Sequence, residues 1–180
     1  MRKVIIYGSK YGTTKKYALE LSKKTNIKAV SFKDIKEIDN YNLIIYLGAL
    51  YAGGVLGMAK TLSKITNISN KNIILVTVGL SNSDDKTNIK NINNGIKKEL
   101  PETILNKIKI FHLRGGIDYN KLNFMHKTMM KLLYTKAKSI KEEDKTEEIK
   151  DLINTYNKQI DFTNFSSLDK IITEIDKIKT

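Results

Sequence analysis

The chain has 180 residues, 32 basic against 19 acidic side chains, a formal net charge of +13, and neither cysteine nor tryptophan. That length supports one hydrophobic core without covalent staples. The lack of thiols excludes disulfides, thiolate nucleophiles and thiolate-held clusters, which suits a reducing cytoplasm.

In chain order the apolar runs alternate between short strand-like and longer helix-like patterns. Val4-Ile5-Ile6-Tyr7 reads as a buried strand, reached so soon after Met1 that no secretory leader is expected. A loop over residues 8–14 and a helix over 15–23 follow. A short strand is predicted over 29–32, then Leu43-Ile44-Ile45-Tyr46-Leu47-Gly48 as a strand covered on both faces. Next come a helix over 56–65, a buried strand over 72–78, and a helix over 87–100 that stops at Pro101. Residues 108–113 make a fifth strand, and Leu168, Ile171, Ile172 and Ile175 recur at helical spacing in a final helix over 167–179. Such alternation is that of an α/β domain with a doubly wound, five-stranded parallel sheet spanning residues 1–180. No apolar run is long enough for a bilayer span.

The first loop carries the strongest chemical signal. Gly8, Ser9, Lys10, Tyr11, Gly12, Thr13 and Thr14 lie between a strand and a helix N-terminus, where unpaired N–H groups and the positive dipole end favour an anion. Such an anion would also account for Lys15 and Lys16, which stand where a helix prefers acidic residues. The competing reading is an ordinary turn with a threonine N-cap. Only three residues separate Gly8 from Gly12, where a Walker loop has four, and no Gly-Lys-Ser/Thr follows, so this is not a Walker loop; without GxGxxG it is not a dinucleotide turn either.

The segment Ser9-Lys10-Tyr11-Gly12-Thr13-Thr14 resembles the flavodoxin phosphate loop, hydroxyl-x-x-Gly-x-Thr after a first strand. The resemblance implies a flavodoxin-like fold of strand order 2-1-3-4-5, FMN as cofactor, and a site beyond the carboxyl ends of strands one, three and four. Two loops there are expected to border the flavin ring. Ala49, Leu50, Tyr51, Ala52 and Gly53 place one aromatic among small residues after strand three, and Gly79, Leu80 and Ser81 follow strand four. Gly115 and Gly116 complete the expected cofactor-binding set, with no catalytic residue assigned and no metal expected.

From about residue 115 to 162 the chain inserts a segment far longer than a usual connection. Leu122, Met125, Met129, Leu133 and Ile140 make an apolar stripe, and Lys127, Lys131 and Lys138 a basic side. The stripe is expected either to pack on the domain or to lie on an anionic membrane at its inner face. Within it, the stretch from Asp118 to Ile140 is expected to decide partner choice rather than FMN affinity. Glu142, Glu143, Asp144, Glu147 and Glu148 read as a solvated tether. His112 and His126 have no third ligand at metal-like spacing.

Ser9 to Thr14, Gly48-Ala49 and the stretch from Gly115 through Lys131 together resemble the menaquinone-dependent protoporphyrinogen dehydrogenase branch of flavodoxin-domain proteins. That branch's insertion is richer in arginine and bulky aromatics than this one. The expected function is therefore electron transfer by an FMN flavoprotein between a donor and an acceptor, either a redox partner protein or a quinone. A quinone-linked protoporphyrinogen IX dehydrogenase is one alternative, and a basic nucleic-acid or lipid binding module without cofactor is the other. The charge alone does not select a partner, because lysine, asparagine and isoleucine are all abundant while only Arg2 and Arg114 are arginines. Nucleic acid is not the expected partner.

Overall fold

The computed structural model describes residues 1–51 and 53–178. Five parallel strands form its centre: β1 (Lys3–Gly8), β2 (Ala29–Ser31), β3 (Leu43–Tyr51), β5 (Asn72–Gly79) and β6 (Ile108–Arg114). Their spatial order is β2-β1-β3-β5-β6, and β4 (Gly54–Val55) adds an antiparallel tail to β3. Counting the parallel strands alone, this is the order 2-1-3-4-5, with the switch point between β1 and β3.

The apolar runs are continuous because both faces of the sheet are covered. On one face Ile5, Ile45, Leu47, Val76 and Val78 pack against Tyr17, Ala18 and Leu21 of α1 (Thr13–Thr25) and Ile171 and Ile175 of α7 (Asp169–Ile178). On the other, Val4, Ile6, Ile44, Tyr46, Ile73 and Leu75 meet α2 (Met58–Leu62), α3 (Lys86–Glu99) and α4 (Glu102–Leu105). Period-two side-chain alternation divides each strand between the two cores.

Three boundaries differ from the sequence reading. Strand β3 continues through Ala49, Leu50 and Tyr51, which had read as loop, because the chain folds back and pairs Leu50 with Val55 and Tyr51 with Gly54. Ala52, between them, lies outside the described residues, as do position 179 of the expected last helix and position 180. Helix α2 is five residues long, shorter than the expected 56–65, since Gly57 at φ 76° turns the chain just before it. Helix α1 begins at Thr13, two residues early, because Gly12 takes the left-handed conformation at its start.

The insertion folds as β7 (Gly116–Asp118), α5 (Phe124–Ser139), α6 (Glu147–Thr155) and β8 (Gln159–Asp161). Strands β7 and β8 pair antiparallel and close the segment at its base. The acidic run is not a tether throughout, for Thr146 caps α6 and Glu147 and Glu148 occupy its first turn, where the helix dipole favours them. Helices α5 and α6 are joined by Tyr134 stacked on Tyr156 at 3.9 Å. Among the described residues no helix is long and apolar enough to cross a membrane.

Candidate functional site

The phosphate-loop segment turns at Gly12, whose φ of 101° lies where only glycine is unstrained. Ser9 Oγ accepts a hydrogen bond from Gly12 N at 3.1 Å and holds the loop closed. No side chain caps α1, so the threonine N-cap of the competing reading is absent. The first intrahelical bond runs from Lys16 N to Gly12 O at 2.9 Å. The N–H groups of Thr13, Thr14 and Lys15 therefore precede the helical ladder and sit at the dipole's positive end. Of the two oddly placed lysines, Lys16 finds Asp161 of β8 at 3.2 Å, an exposed contact that contributes little. The Asp161 carboxyl is held below its ordinary range, first by the Thr163 hydroxyl and then by the Thr163 N–H and Lys16.

At the carboxyl ends of β1, β3 and β5 opens a cavity of about 1040 Å³. Of the expected cofactor-binding residues, Ser9, Lys10, Tyr11, Thr13, Thr14, Ala49, Leu50, Tyr51, Gly53, Gly79, Leu80, Ser81, Gly115 and Gly116 all line it. Gly12 does not line it but shapes the turn, and Ala52 lies outside the described residues. Two glycines permit close approach of the chains around the cavity. A Cβ on Gly79 would stand 2.7 Å from Leu50 Cδ1, and one on Gly115 would stand 2.8 Å from Val78 Cγ1.

The two ring-side loops are held by specific bonds. Glu99, the last residue of α3, accepts from Val55 N at 3.1 Å and so anchors the β3–β4 hairpin that carries Tyr51. After β5, Leu80 O accepts from Arg114 Nε at 3.0 Å, and Gly79 O from Gly115 N at 2.6 Å. Asp151 of α6 then accepts from both Asn82 N and Arg114 Nη2, each at 3.2 Å. The insertion is thus fastened to the loop after β5. Deeper in the cavity, His112 Nδ1 stands 2.8 Å from the buried Thr77 hydroxyl, and burial pushes the imidazole below its ordinary value.

Sequence reasoning missed His126. It is 3% exposed, and its two ring nitrogens hydrogen-bond the hydroxyls of Tyr11 and Tyr51, all three residues lining the cavity. The usable signal was Asn123, the N-cap of α5, which accepts from His126 N at 2.9 Å and fixes the histidine in the first turn. The expected apolar stripe divides. Leu122 is buried and Met129 and Leu133 line the cavity, while Met125 faces solvent at 65% exposure.

A doubly wound sheet with an uncapped helix N-terminus and a large cleft at its switch point defines an α/β protein built to hold a phosphorylated mononucleotide. The flavodoxin domain model matches residues 4–147, most of the chain, and the protein belongs to that family. Among solved structures it is similar to a flavodoxin of Fusobacterium nucleatum bound to flavin mononucleotide, at 20% identity over 66% of this chain and 80% of that one, with a TM-score of 0.44. It is also similar to a flavoprotein of Lactobacillus acidophilus in complex with FMN, at 14% identity over 63% and 91% of the two chains with a TM-score of 0.43. A third is the oxidised flavodoxin 1 of Bacillus cereus, at 15% identity over 63% and 84% with a TM-score of 0.40. No curated protein matches the chain.

Proposed function

We propose that the protein is an FMN-dependent redox protein that passes electrons between a donor and an acceptor. The observation that carries this reading is the uncapped start of α1, opening at the carboxyl edge of the sheet beside a cavity of about 1040 Å³. Family membership supports FMN as the group that fills it. The donors fit a phosphate: backbone N–H groups at a helix start and the hydroxyls of Ser9, Thr13 and Thr14, with Lys10 adding charge. Tyr51 and the backbones of Ala49, Gly53, Gly79, Leu80, Ser81, Gly115 and Gly116 would border the ring. The flavin supplies the electron chemistry, and the chain sets its orientation, its exposure to water and its access to partners.

The test is direct. The purified protein should be yellow, release FMN on denaturation in equimolar amount, and lose its flavin bands when the cofactor is stripped. A colourless chain that takes up no FMN from excess would overturn the reading and leave a cofactor-free binding module.

One observation favours a quinone as acceptor. Helix α5 exposes Phe124 at 85%, Met125 at 65% and Leu132 at 67%, beside the expected basic side of Lys127, Lys131 and Lys138. An apolar face bordered by cations suits an anionic membrane surface, where quinones reside. A protoporphyrinogen donor would be the finer form of this reading, and anaerobic oxidation of protoporphyrinogen by the FMN-loaded protein with a menaquinone analogue would test it. If only soluble protein acceptors are reduced, the quinone-linked reading fails and the electron-transfer reading stands.

A further inference from the structure

His126 stands on a helix turn whose other residues face solvent: Phe124, Met125, Lys127 and Thr128 are all exposed. The imidazole alone turns inward, and it ends between two hydroxyls that are remote in sequence. Tyr11 belongs to the phosphate-loop segment, 115 residues away, and Tyr51 to the β3–β4 hairpin, 75 residues away. The rings meet edge to face, with centroids 5.6 Å apart at 79° for Tyr11 and 5.1 Å apart at 67° for Tyr51. A tyrosine hydroxyl can donate or accept, so both ring nitrogens have a matching partner. The contact therefore joins the insertion to the loop after β1 and to the β3–β4 hairpin through a single side chain.

We propose that His126 is a positioning residue: it fixes the Tyr11 and Tyr51 rings at the mouth of the cofactor cavity and thereby couples FMN binding to the docking of α5. This rests on the FMN reading above. A histidine that merely filled a core would be ringed by apolar side chains, whereas both partners here line the cavity and Tyr11 is itself 38% exposed. Reciprocity then follows. Whatever factor the docked helix adds to FMN affinity, bound FMN must add to the docking equilibrium of the helix. The sequence reading assigned residues 118–140 to partner choice rather than FMN affinity; on this proposal they have a part in holding the cofactor too.

The test uses the full chain, stripped and reloaded with FMN, and four variants: His126→Leu, His126→Gln, Tyr11→Phe and Tyr51→Phe. FMN affinity is read by flavin fluorescence, the ring environment by visible circular dichroism, and α5 docking by hydrogen exchange over residues 124–139 with and without FMN. In the parent, FMN should slow exchange in α5 by about tenfold, within the usual range of coupling between sites. His126→Leu should weaken FMN about tenfold, abolish that slowing and change the flavin dichroism. Each tyrosine variant, losing one hydrogen bond but keeping its ring, should weaken FMN about threefold. His126→Gln, which retains a donor and an acceptor, should recover part of both effects.

If His126→Leu binds FMN as the parent does and FMN still slows α5 exchange, the histidine is a packing residue and the proposal is overturned while the cofactor reading survives. If the parent takes up no FMN, both fail together. Should His126→Leu not fold, the two tyrosine variants decide: parental FMN affinity and parental dichroism in both would overturn the proposal.

Discussion

At the scale of single residues, the proposed phosphate site turns on two positions, Thr14 and the Gly12 turn. Thr14 is 2% exposed at the head of α1, yet its side chain lines the cavity. Its hydroxyl and N–H can reach an anion, and charge-assisted bonds are the stronger kind, about 1.5–3 kcal/mol each. Thr14→Val should therefore weaken FMN by about tenfold or more while leaving riboflavin, which has no phosphate, within about twofold. Equal losses for both ligands in a fluorescence titration would remove the loop from the phosphate site. A second residue-scale expectation concerns His112. Burial lowers its pKa below the ordinary 6.5, so the unfolded chain binds a proton that the folded chain resists. Where the unfolded state holds more protons, stability rises with pH. The stability lost to this group should thus set in as pH falls below 6.5, above the range near 3.8 and lower where the depressed Asp161 carboxyl loses its own contribution. Urea unfolding of His112→Gln should show a shallower decline between about pH 7 and pH 5 than the parent. Parallel declines would assign the slope to other groups.

At the scale of elements, the insertion is fastened at its base by the β7–β8 ribbon, at α6 by Asp151 and at α5 by His126. Asp151 and Arg114 are each less than a third exposed and stand 3.2 Å apart, and Arg114 also lies over the Phe162 ring at 3.7 Å. Asp151→Ala would strip the part-buried Arg114 guanidinium of its acceptor, a loss of about 1–3 kcal/mol, while the exposed Asn82 N–H turns to water. Asp151→Asn, which keeps one acceptor, should lose less. Chemical unfolding that leaves both variants as stable as the parent would show that α6 is held by its apolar side alone. How far these elements were legible depended on their length. The four longer parallel strands and α1, α3 and α7 announced themselves through runs long enough to read, the three-residue β2 only through its place between two such runs, and the loop over residues 8–14 through its glycine and hydroxyl spacing. The ribbon did not, because three-residue strands pairing Gly116 with Asp161 have no measurable period and a partner forty-five residues off. Tyr51 was read as loop because β4 is too short to signal a hairpin. His126 was invisible for a different reason: its partners Tyr11 and Tyr51 come to it only through the sheet topology, and no local pattern encodes that meeting.

At the scale of the whole molecule, the surplus of +13 is concentrated in lysines, and α5 pairs that charge with exposed apolar side chains. Either property alone is common on a surface, but together they separate two modes of association. A purely electrostatic encounter weakens steeply with salt, since exposed charges are screened beyond about 8 Å at physiological ionic strength. An apolar face inserted at a headgroup boundary persists, because its contribution scales with buried area, about 25 cal/mol per Å². The parent should therefore bind vesicles of mixed neutral and anionic lipid, retain part of that binding at about 0.5 M salt, and bind purely neutral vesicles only to about that residual extent. Lys127→Glu, Lys131→Glu and Lys138→Glu together should abolish the anionic preference. Phe124→Ser with Leu132→Ser should spare low-salt binding but remove the salt-resistant fraction, and both sets should keep bound flavin, since none of these five residues lines the cavity. Sedimentation with vesicles distinguishes the cases. Binding that disappears entirely with salt in the parent would make α5 a cationic dock for an acidic protein, and the membrane-linked acceptor would give way to a soluble one.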